Sequence, residues 1–278
     1  MEITREKIRL HMGKIVSRIE RLPYVNWFNP LMTLYLNFRS FPLKQAWKIP
    51  VFVYGWPKIF SLYGSMECQG KCKTGMVSLN STNTGAPSVP GSSTAINNWG
   101  KIIFRGKCQI YTSNKINVGV HGVLDMGDGT KIMHFCNITA HESVRIGEQS
   151  RIVHRCQVLD SNFHFIADFN KLRIPKYTRP IEIGSYCWIC NSSTITGGAK
   201  LPNKTIVASN SLVNKDMTVI PEESMIGGVP AKLIGTGYRR VESKKLQHSI
   251  WIYRSKHKDV DYYPLPEDVD HDICNVDE

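Results

Sequence analysis

Between Ile183 and Met225 every sixth residue is aliphatic: Ile183, Ile189, Ile195, Leu201, Val207, Val213, Val219 and Met225. Four residues after each of the first five stands a small residue, namely Cys187, Ser193, Ala199, Thr205 and Ser211. An α-helix repeats about every 3.6 residues and a strand every two, so neither produces this period. A chain wound into a triangular prism does. One large side chain per flat face then points to the axis, and each tight corner admits only a small one. Stacked coils of this kind bury a continuous core and pair strand to strand at about 4.8 Å.

The pattern extends upstream. Ile146, Ile152 and Val158 continue it, and Ile132 and Ile138 fit an earlier stretch. Between these and Ile183 lies HFIADFNKLRIPKYTRP, residues 164 to 180, polar, basic and proline-bearing, which reads as a loop protruding between coils. Residues 80 to 98 are small and polar and read as another loop. Residues 23 to 63, with Pro23, Pro30, Pro42, Pro50 and Pro57, predict short extended pieces and turns in place of long helices. The first 22 residues predict a basic amphipathic helix, with Ile8, Met12, Ile15 and Ile19 on one face. That helix packs on the domain or touches an anionic membrane surface. Residues 240 to 256 predict a terminal helix (Val241, Leu246, Ile250, Trp251, Tyr253) that caps the open end of the prism, since an uncovered coil exposes strand edges. The organisation is therefore an N-terminal helical and extended region (1–63), a β-helix domain (64–235) interrupted at 164–180, and a C-terminal helix with a tail (236–278).

Charge modifies this picture at the end of the chain. The net charge is +12, yet Asp259 to Glu278 holds eight acids and no Lys or Arg, so the other 258 residues carry +20. Such a body favours a phosphorylated or acidic partner. No apolar run approaches the roughly 20 residues of a membrane span, and the N-terminus lacks the apolar core of a signal peptide, so a cytoplasmic location with peripheral membrane contact is expected. The eight cysteines are scattered without a secretory pattern and read as reduced, mostly buried thiols.

The stretch RPIEIGSYCWICNSSTITGGAKLPNKTIVASNSLVNKDM, followed by IGGVPAKLI, resembles the maltose/galactoside O-acetyltransferase group of hexapeptide-repeat acyltransferases. The family's phrases are K-P-V-x-I-G-x-x-V-W-I-G and G-N-P-A-K-x-I. The resemblance covers roughly residues 100 to 236 and is most specific in its last third. A looser likeness of residues 1 to 80 points to O-acetyltransferases of surface-polysaccharide pathways. The resemblance implies an all-β fold, a left-handed parallel β-helix, assembled as a homotrimer with acetyl-CoA or another acyl-CoA in a groove between subunits. It implies an O-acyltransferase acting on a hydroxyl of a sugar or glycan intermediate. The family's general-base histidine precedes a protruding loop, and LDSNFHF puts His164 there. A histidine is also the side chain best tuned to take a hydroxyl proton at neutral pH. Asp160 is the candidate to orient it, with Glu182 in reserve. The resemblance further implies that Trp188 walls the thioester end or simply packs, that Asn191, Ser209 and Asn214 line the pantetheine arm, and that Lys215 and Lys232 meet the CoA phosphates.

The chain departs from the family at Cys190, where glycine is usual, and at Gly228-Val229, where Gly-Asn is usual. FCNITAHESVRIG also lacks the phrase that contacts acceptor in the sugar acetyltransferases, so the acceptor differs from their simple sugar. Other classes fit less well. A carbonic anhydrase on this prism needs an H-x-x-x-x-H spacing, which His134, His141, His154 and His164 do not give. Cys187-x-x-Cys190 lacks the second pair of a zinc site, and no metal is expected. No nucleic-acid module is present. The remaining alternative is a non-catalytic trimeric binding or scaffold protein.

Overall fold

The computed structural model describes residues 25–82 and 92–265. The amphipathic helix expected over the first 22 residues and most of the acidic tail lie outside them. The described chain winds into a left-handed parallel β-helix with three faces. Face 1 runs Val51–Val53, Val77–Ser81, Cys108–Tyr111, Thr130–Ile132, Arg151–Ile152, Trp188–Ile189, Ile206–Val207, Ser224–Gly227 and Lys232–Thr236. Face 2 runs Lys58–Leu62, Ala95–Asn98, Lys115–Val118, Asn137–Ala140, Gln157–Leu159, Thr194–Thr196 and Leu212–Val213. Face 3 runs Ser65–Cys68, Lys101–Phe104, Val123–Met126, Ser143–Ile146, Ile181–Ile183 and Lys200–Leu201. Each strand pairs in parallel with the strand one coil on, except the last pair of face 1, which is antiparallel.

Register puts like on like along the axis. On face 1, Ile110, Ile132, Ile152, Ile189 and Val207 stack one above the next. On face 2 the column is Ile116, Ile138, Val158, Ile195 and Val213. All are buried, and each contributes about 1.5–3 kcal/mol of transfer free energy. The small residues at the corners are buried as well, and their identity has a second cause. Ser193 Oγ donates to the Ala208 carbonyl at 2.9 Å, Thr205 Oγ1 to Pro202 O at 2.8 Å, and Ser150 Oγ to Gly184 O at 2.8 Å. The corner thus needs a side chain that is small and able to satisfy a carbonyl which the turn removes from the ladder. The residue just before each one lies in the left-handed region: Gln149, Arg155, Tyr186, Ser192, Lys204 and Asn210 have φ between 53° and 60°. Each non-glycine residue held there costs about 1–2 kcal/mol, which the ladders on both sides offset.

The last turns depart from the sixfold reading. Val219 is 88% exposed. Met217 N donates to Lys200 O at 2.9 Å and Ile220 N closes a turn onto Met217 O at 3.0 Å, so Met217 enters the core two residues early and Val219 turns outward. Ile226, and not Met225, then stands opposite Val207.

Both ends are finished in ways the sequence reading did not anticipate. The stretch expected to hold short extended pieces and turns contains an eleven-residue helix, α1 (Pro30–Ser40), and a short α2 (Leu43–Ala46). Pro30 starts α1 where its missing N–H is no loss, and Asn29 Oδ1 caps it by accepting from Met32 N at 3.0 Å. The coiling begins at Val51, inside the region assigned to a preceding extension. Asn37 of α1 donates Nδ2 to Val51 O at 2.7 Å and accepts Val51 N on Oδ1 at 3.1 Å, while Thr33 Oγ1 accepts Val53 N at 2.9 Å. Gln45 of α2 makes the same two bonds to Cys68. Helical side chains thereby replace the missing strand at the free edge. At the other end the expected helix is present as α3 (Lys244–Lys256), capped by Ser243 Oγ, but none of its residues is buried, so it does not plug the prism. The edge of Ser224–Gly227 is paired instead by the antiparallel Lys232–Thr236.

Truncating an axial residue tests this register. Ile189→Ala should cost about 2–5 kcal/mol in chemical denaturation, whereas Val219→Ala should stay within about 0.5 kcal/mol of the native chain. Equal losses at the two positions would contradict the shifted last coil.

Candidate functional site

The excursion expected at residues 164–180 leaves the prism at the corner between faces 2 and 3 and spans residues 160–180. It returns on itself through isolated antiparallel bridges, Ser161 with Thr178 and Asp168 with Arg173. Asn162 N donates to Tyr177 O at 3.1 Å, Arg179 N to Asp160 O at 2.9 Å and Phe163 N to Ser161 Oγ at 3.0 Å. His164 stands on this loop, exposed, between Phe163 at φ 61° and Phe165.

Asp160 does not orient it. The Asp160 side chain is buried and turned the other way: Oδ1 accepts from His141 N at 2.8 Å, and Oδ2 from Glu142 N at 2.7 Å and Ser143 N at 2.9 Å. A carboxylate taking three backbone donors has most of its capacity committed to the corner of the preceding coil, and both its oxygens face away from the loop's histidine. Glu182, the reserve, pairs with Lys200 at 3.1 Å. Asp160 is therefore the fastening of the loop root to the preceding coil.

The residue that the sequence reading passed over is His141. Its ring meets Phe163 edge-on at 5.4 Å and Tyr177 at 6.3 Å, and Phe165 packs on Tyr177 at 5.1 Å. His141 Nε2 lies 3.3 Å from Asn117 Nδ2. Asn117 Oδ1 already accepts from Asn97 Nδ2 at 2.9 Å, which turns the Asn117 amide N–H toward the ring. Lys176 Nζ bonds Glu142 Oε1 at 2.7 Å, and that bond holds the Glu142 carboxyl below its ordinary pKa. The loop is thus held by a carboxylate, an ion pair and an aromatic contact, leaving His164 at its surface. A hint existed in the sequence, since His141 falls three residues after the axial Ile138 and so lies at a corner.

The other candidates fall around the lower part of face 2. Asn191 and Ser209 are exposed on successive coils at the corner between faces 1 and 2, where Asn191 O accepts Asn210 N at 3.0 Å. Asn214 and Lys215 are exposed at the opposite corner, on the loop's side. Lys232, exposed, opens the final strand just after the cis Val229–Pro230 bond. Between the corners the outward residues are Thr194, Thr196 and Leu212, none of them bulky. This flat strip, bordered by amide and hydroxyl donors and by two lysines, suits an elongated amide-bearing chain ending in phosphates.

Trp188 lies apart from that strip. It is on face 1, half-buried, with the Arg240 guanidinium 5.1 Å above its ring. Arg240 and Arg151 both pair with Glu242, which ties the segment after the last strand across face 1. Burial, then the nearby Arg151, bring Arg240 down to about 10, still cationic at neutral pH. Cys190, in the family's glycine position, keeps its N–H in the ladder to Val207 O at 2.9 Å, and burial raises its thiol to about 11. Among the described residues no three His, Cys, Asp or Glu side chains gather as a metal site.

Farther up the corner between faces 1 and 2, His134 is wholly buried between Tyr111 and His154, each at a ring distance of 5.3 Å. Burial is the main cause that lowers the pKa of both histidines.

With this geometry in place, the chain can be set beside known proteins. No family model matches it. It is 29% identical over 154 residues, 48% of this chain and 77% of the relative, to WbbJ of Escherichia coli, a protein assigned by name to lipopolysaccharide biosynthesis as an O-acetyl transferase. Among solved structures it is similar to the polySia-specific acetyltransferase NeuO, at 18% identity and a TM-score of 0.45 over 82% of this chain and 95% of that one. It is also similar to AntD, an N-acyltransferase from Bacillus cereus, at 15% identity and a TM-score of 0.41 over 84% and 99%. The sequence similarity to WbbJ agrees with the resemblance to hexapeptide-repeat acyltransferases drawn from the chain's own motifs.

Two measurements check the electrostatics of the site. Asp160→Ala strands three backbone N–H groups and should lower stability by about 1–3 kcal/mol, with proteolysis appearing first within 160–180; uniform cleavage would contradict the fastening role. His134 and His154 bind protons less readily folded than unfolded. Their contribution is therefore complete above the unfolded pKa of about 6.5 and is lost as pH falls toward the lowered folded values. The denaturation midpoint should drop between pH 7 and pH 5, and His134→Phe should flatten that slope.

Proposed function

We propose that the protein transfers an acyl group, in the first instance acetyl, from acyl-CoA to a hydroxyl of a sugar or glycan intermediate. The observation that supports this reading best is the position of His164: exposed, on a loop fastened at one corner of the face whose two corners carry the amide and lysine donors. The similarity to an O-acetyltransferase of lipopolysaccharide biosynthesis supports the acceptor class.

In this reading Asn191, Ser209 and Asn214 hydrogen-bond the pantetheine arm, and Lys215 and Lys232 meet the phosphates. Trp188 contributes by packing under Arg240, which sets the wall of the neighbouring face. The acceptor hydroxyl gives its proton to His164 while its oxygen attacks the thioester carbonyl. The tetrahedral oxyanion rests on backbone N–H donors. The C–S bond then breaks, His164 returns the proton to the departing sulfur, and free CoA thiol leaves with the acylated glycan. No acyl-enzyme forms on a cysteine. A homotrimer, with the acyl-CoA groove between a loop of one subunit and face 2 of the next, completes the arrangement. No helix among the described residues is long and apolar enough to cross a membrane. In this reading the protein works on the cytoplasmic side, with peripheral membrane contact where the acceptor is lipid-linked.

Thiol release from acetyl-CoA with a panel of sugar and oligosaccharide acceptors tests the proposal. Turnover should depend on acceptor, and His164→Ala should lower kcat by about 10²–10⁴-fold while CoA binding by calorimetry persists. Absence of thiol release with every hydroxyl acceptor, or an unaffected His164→Ala, would overturn it in favour of a non-catalytic binding protein.

A further inference from the structure

The upper part of face 2 carries a second arrangement that the transfer reaction does not use. Tyr63 and Trp99 lie at the corner between faces 2 and 3 on consecutive coils, their rings stacked at 4.8 Å with 25° between planes. They are 73% and 46% exposed. Two large aromatic rings stacked face to face stay substantially wet here, each with its other face turned away from the pair. Arg39 holds its guanidinium 5.7 Å from the Tyr63 ring.

A directed chain of side-chain hydrogen bonds leads away from this pair. Trp99 Nε1 donates to Asn97 Oδ1 at 2.9 Å, Asn97 Nδ2 to Asn117 Oδ1 at 2.9 Å, and Asn117 Nδ2 to His141 Nε2 at 3.3 Å. The asparagines are cross-strand neighbours, so the two steps from Asn97 to Asn117 and from Asn117 to His141 each advance one coil toward the loop. Each amide spends one N–H and one lone pair along the chain and keeps one of each. The far end, His141, touches Phe163 next to His164. From Tyr63 to the loop root at Asp160 there are four coil steps, about 19 Å at the strand spacing of 4.8 Å.

We propose that Tyr63, Trp99, Asn97 and Asn117 form an acceptor track that binds an oligosaccharide and leads its end to the loop. The inference rests on the reading of the acceptor as a glycan and narrows it to a chain of several sugars. A pyranose ring offers an apolar C–H face to the outer face of a stacked aromatic ring and a rim of hydroxyls, each both donor and acceptor, to a row of carboxamides. Arg39 at the outer end suits a glycan carrying acid groups. The length of the track exceeds a single sugar.

The test is direct binding to the full-length protein, measured on arrays and by calorimetry with chain-length series of glucose, N-acetylglucosamine and galacturonic acid oligomers, one to six units long. Affinity for at least one series should rise tenfold or more from one unit to four. Tyr63→Ala and Trp99→Ala should each lose at least tenfold on the tetramer, and Trp99→Phe should recover most of it, which a folding defect would not. Affinity independent of chain length in all three series, or alanine variants that bind as the native chain does, would overturn the track. So would sedimentation showing that these variants dissociate an oligomer, since the rings would then face a second copy. Thiol release is read separately. Oligomer binding without turnover keeps the track and removes the transferase reading, and turnover without chain-length dependence does the reverse.

Discussion

The parallel backbone ladder from one coil to the next governs everything else in this molecule. A strand of two or three residues cannot hold itself in place, and each coil is stable only because its N–H and C=O groups are met by the coils above and below. From this follow the in-register isoleucine columns, because parallel pairing sets identical positions on top of one another. From it also follow the buried Ser, Thr and Cys at the corners, because the turn takes carbonyls out of the ladder and a small donor must answer them. The two ends have no next coil. Asn37, Thr33 and Gln45 supply side-chain donors and acceptors at one, and an antiparallel strand supplies a backbone at the other.

The same constraint decides where chemistry can sit. The faces are flat and their coils carry almost no spare length, so a loop that holds a reactive side chain has to leave at a corner and be tied down there. Asp160 performs that tie by taking three backbone donors of the preceding coil. Its burial is the reason it is unsuited to orient an imidazole on the loop. His164 is left on the exposed side, flanked by aromatics that pack back on His141 and Tyr177. The strip of face 2 below the loop presents Thr194, Thr196 and Leu212 between polar corners, and the strip above presents Tyr63, Trp99 and an asparagine ladder. One face thus bears two surfaces of different chemistry on either side of the loop.

Much of the fold was legible in the chain because a period of six has few other physical causes. Ile183 through Val213 lie on the axis as their spacing required, and the corner residues are small as expected. The reading failed where local rules compete with the repeat. A turn after Asp216 drew Met217 inward and pushed Val219 out, and a helix formed over residues 30 to 40 despite five prolines nearby, because Pro30 falls at its first turn. The site was less legible. The loop and His164 stood out as a break in a regular pattern, but the partner of Asp160 did not, since a carboxylate near a histidine in sequence can equally face the backbone.

The sequence by itself determined the coil, its core and the place where it is interrupted, because these depend on the order of large and small residues along one chain. Only the tertiary structure decided what the interruption is fastened to and which residues share its face. His141, Asn117 and Asn97 are 24 and 20 residues apart in the chain and become neighbours only through coil stacking. Coil lengths vary, so no fixed period reveals them. The ladder that makes the repeat readable is also what brings these unlike residues together.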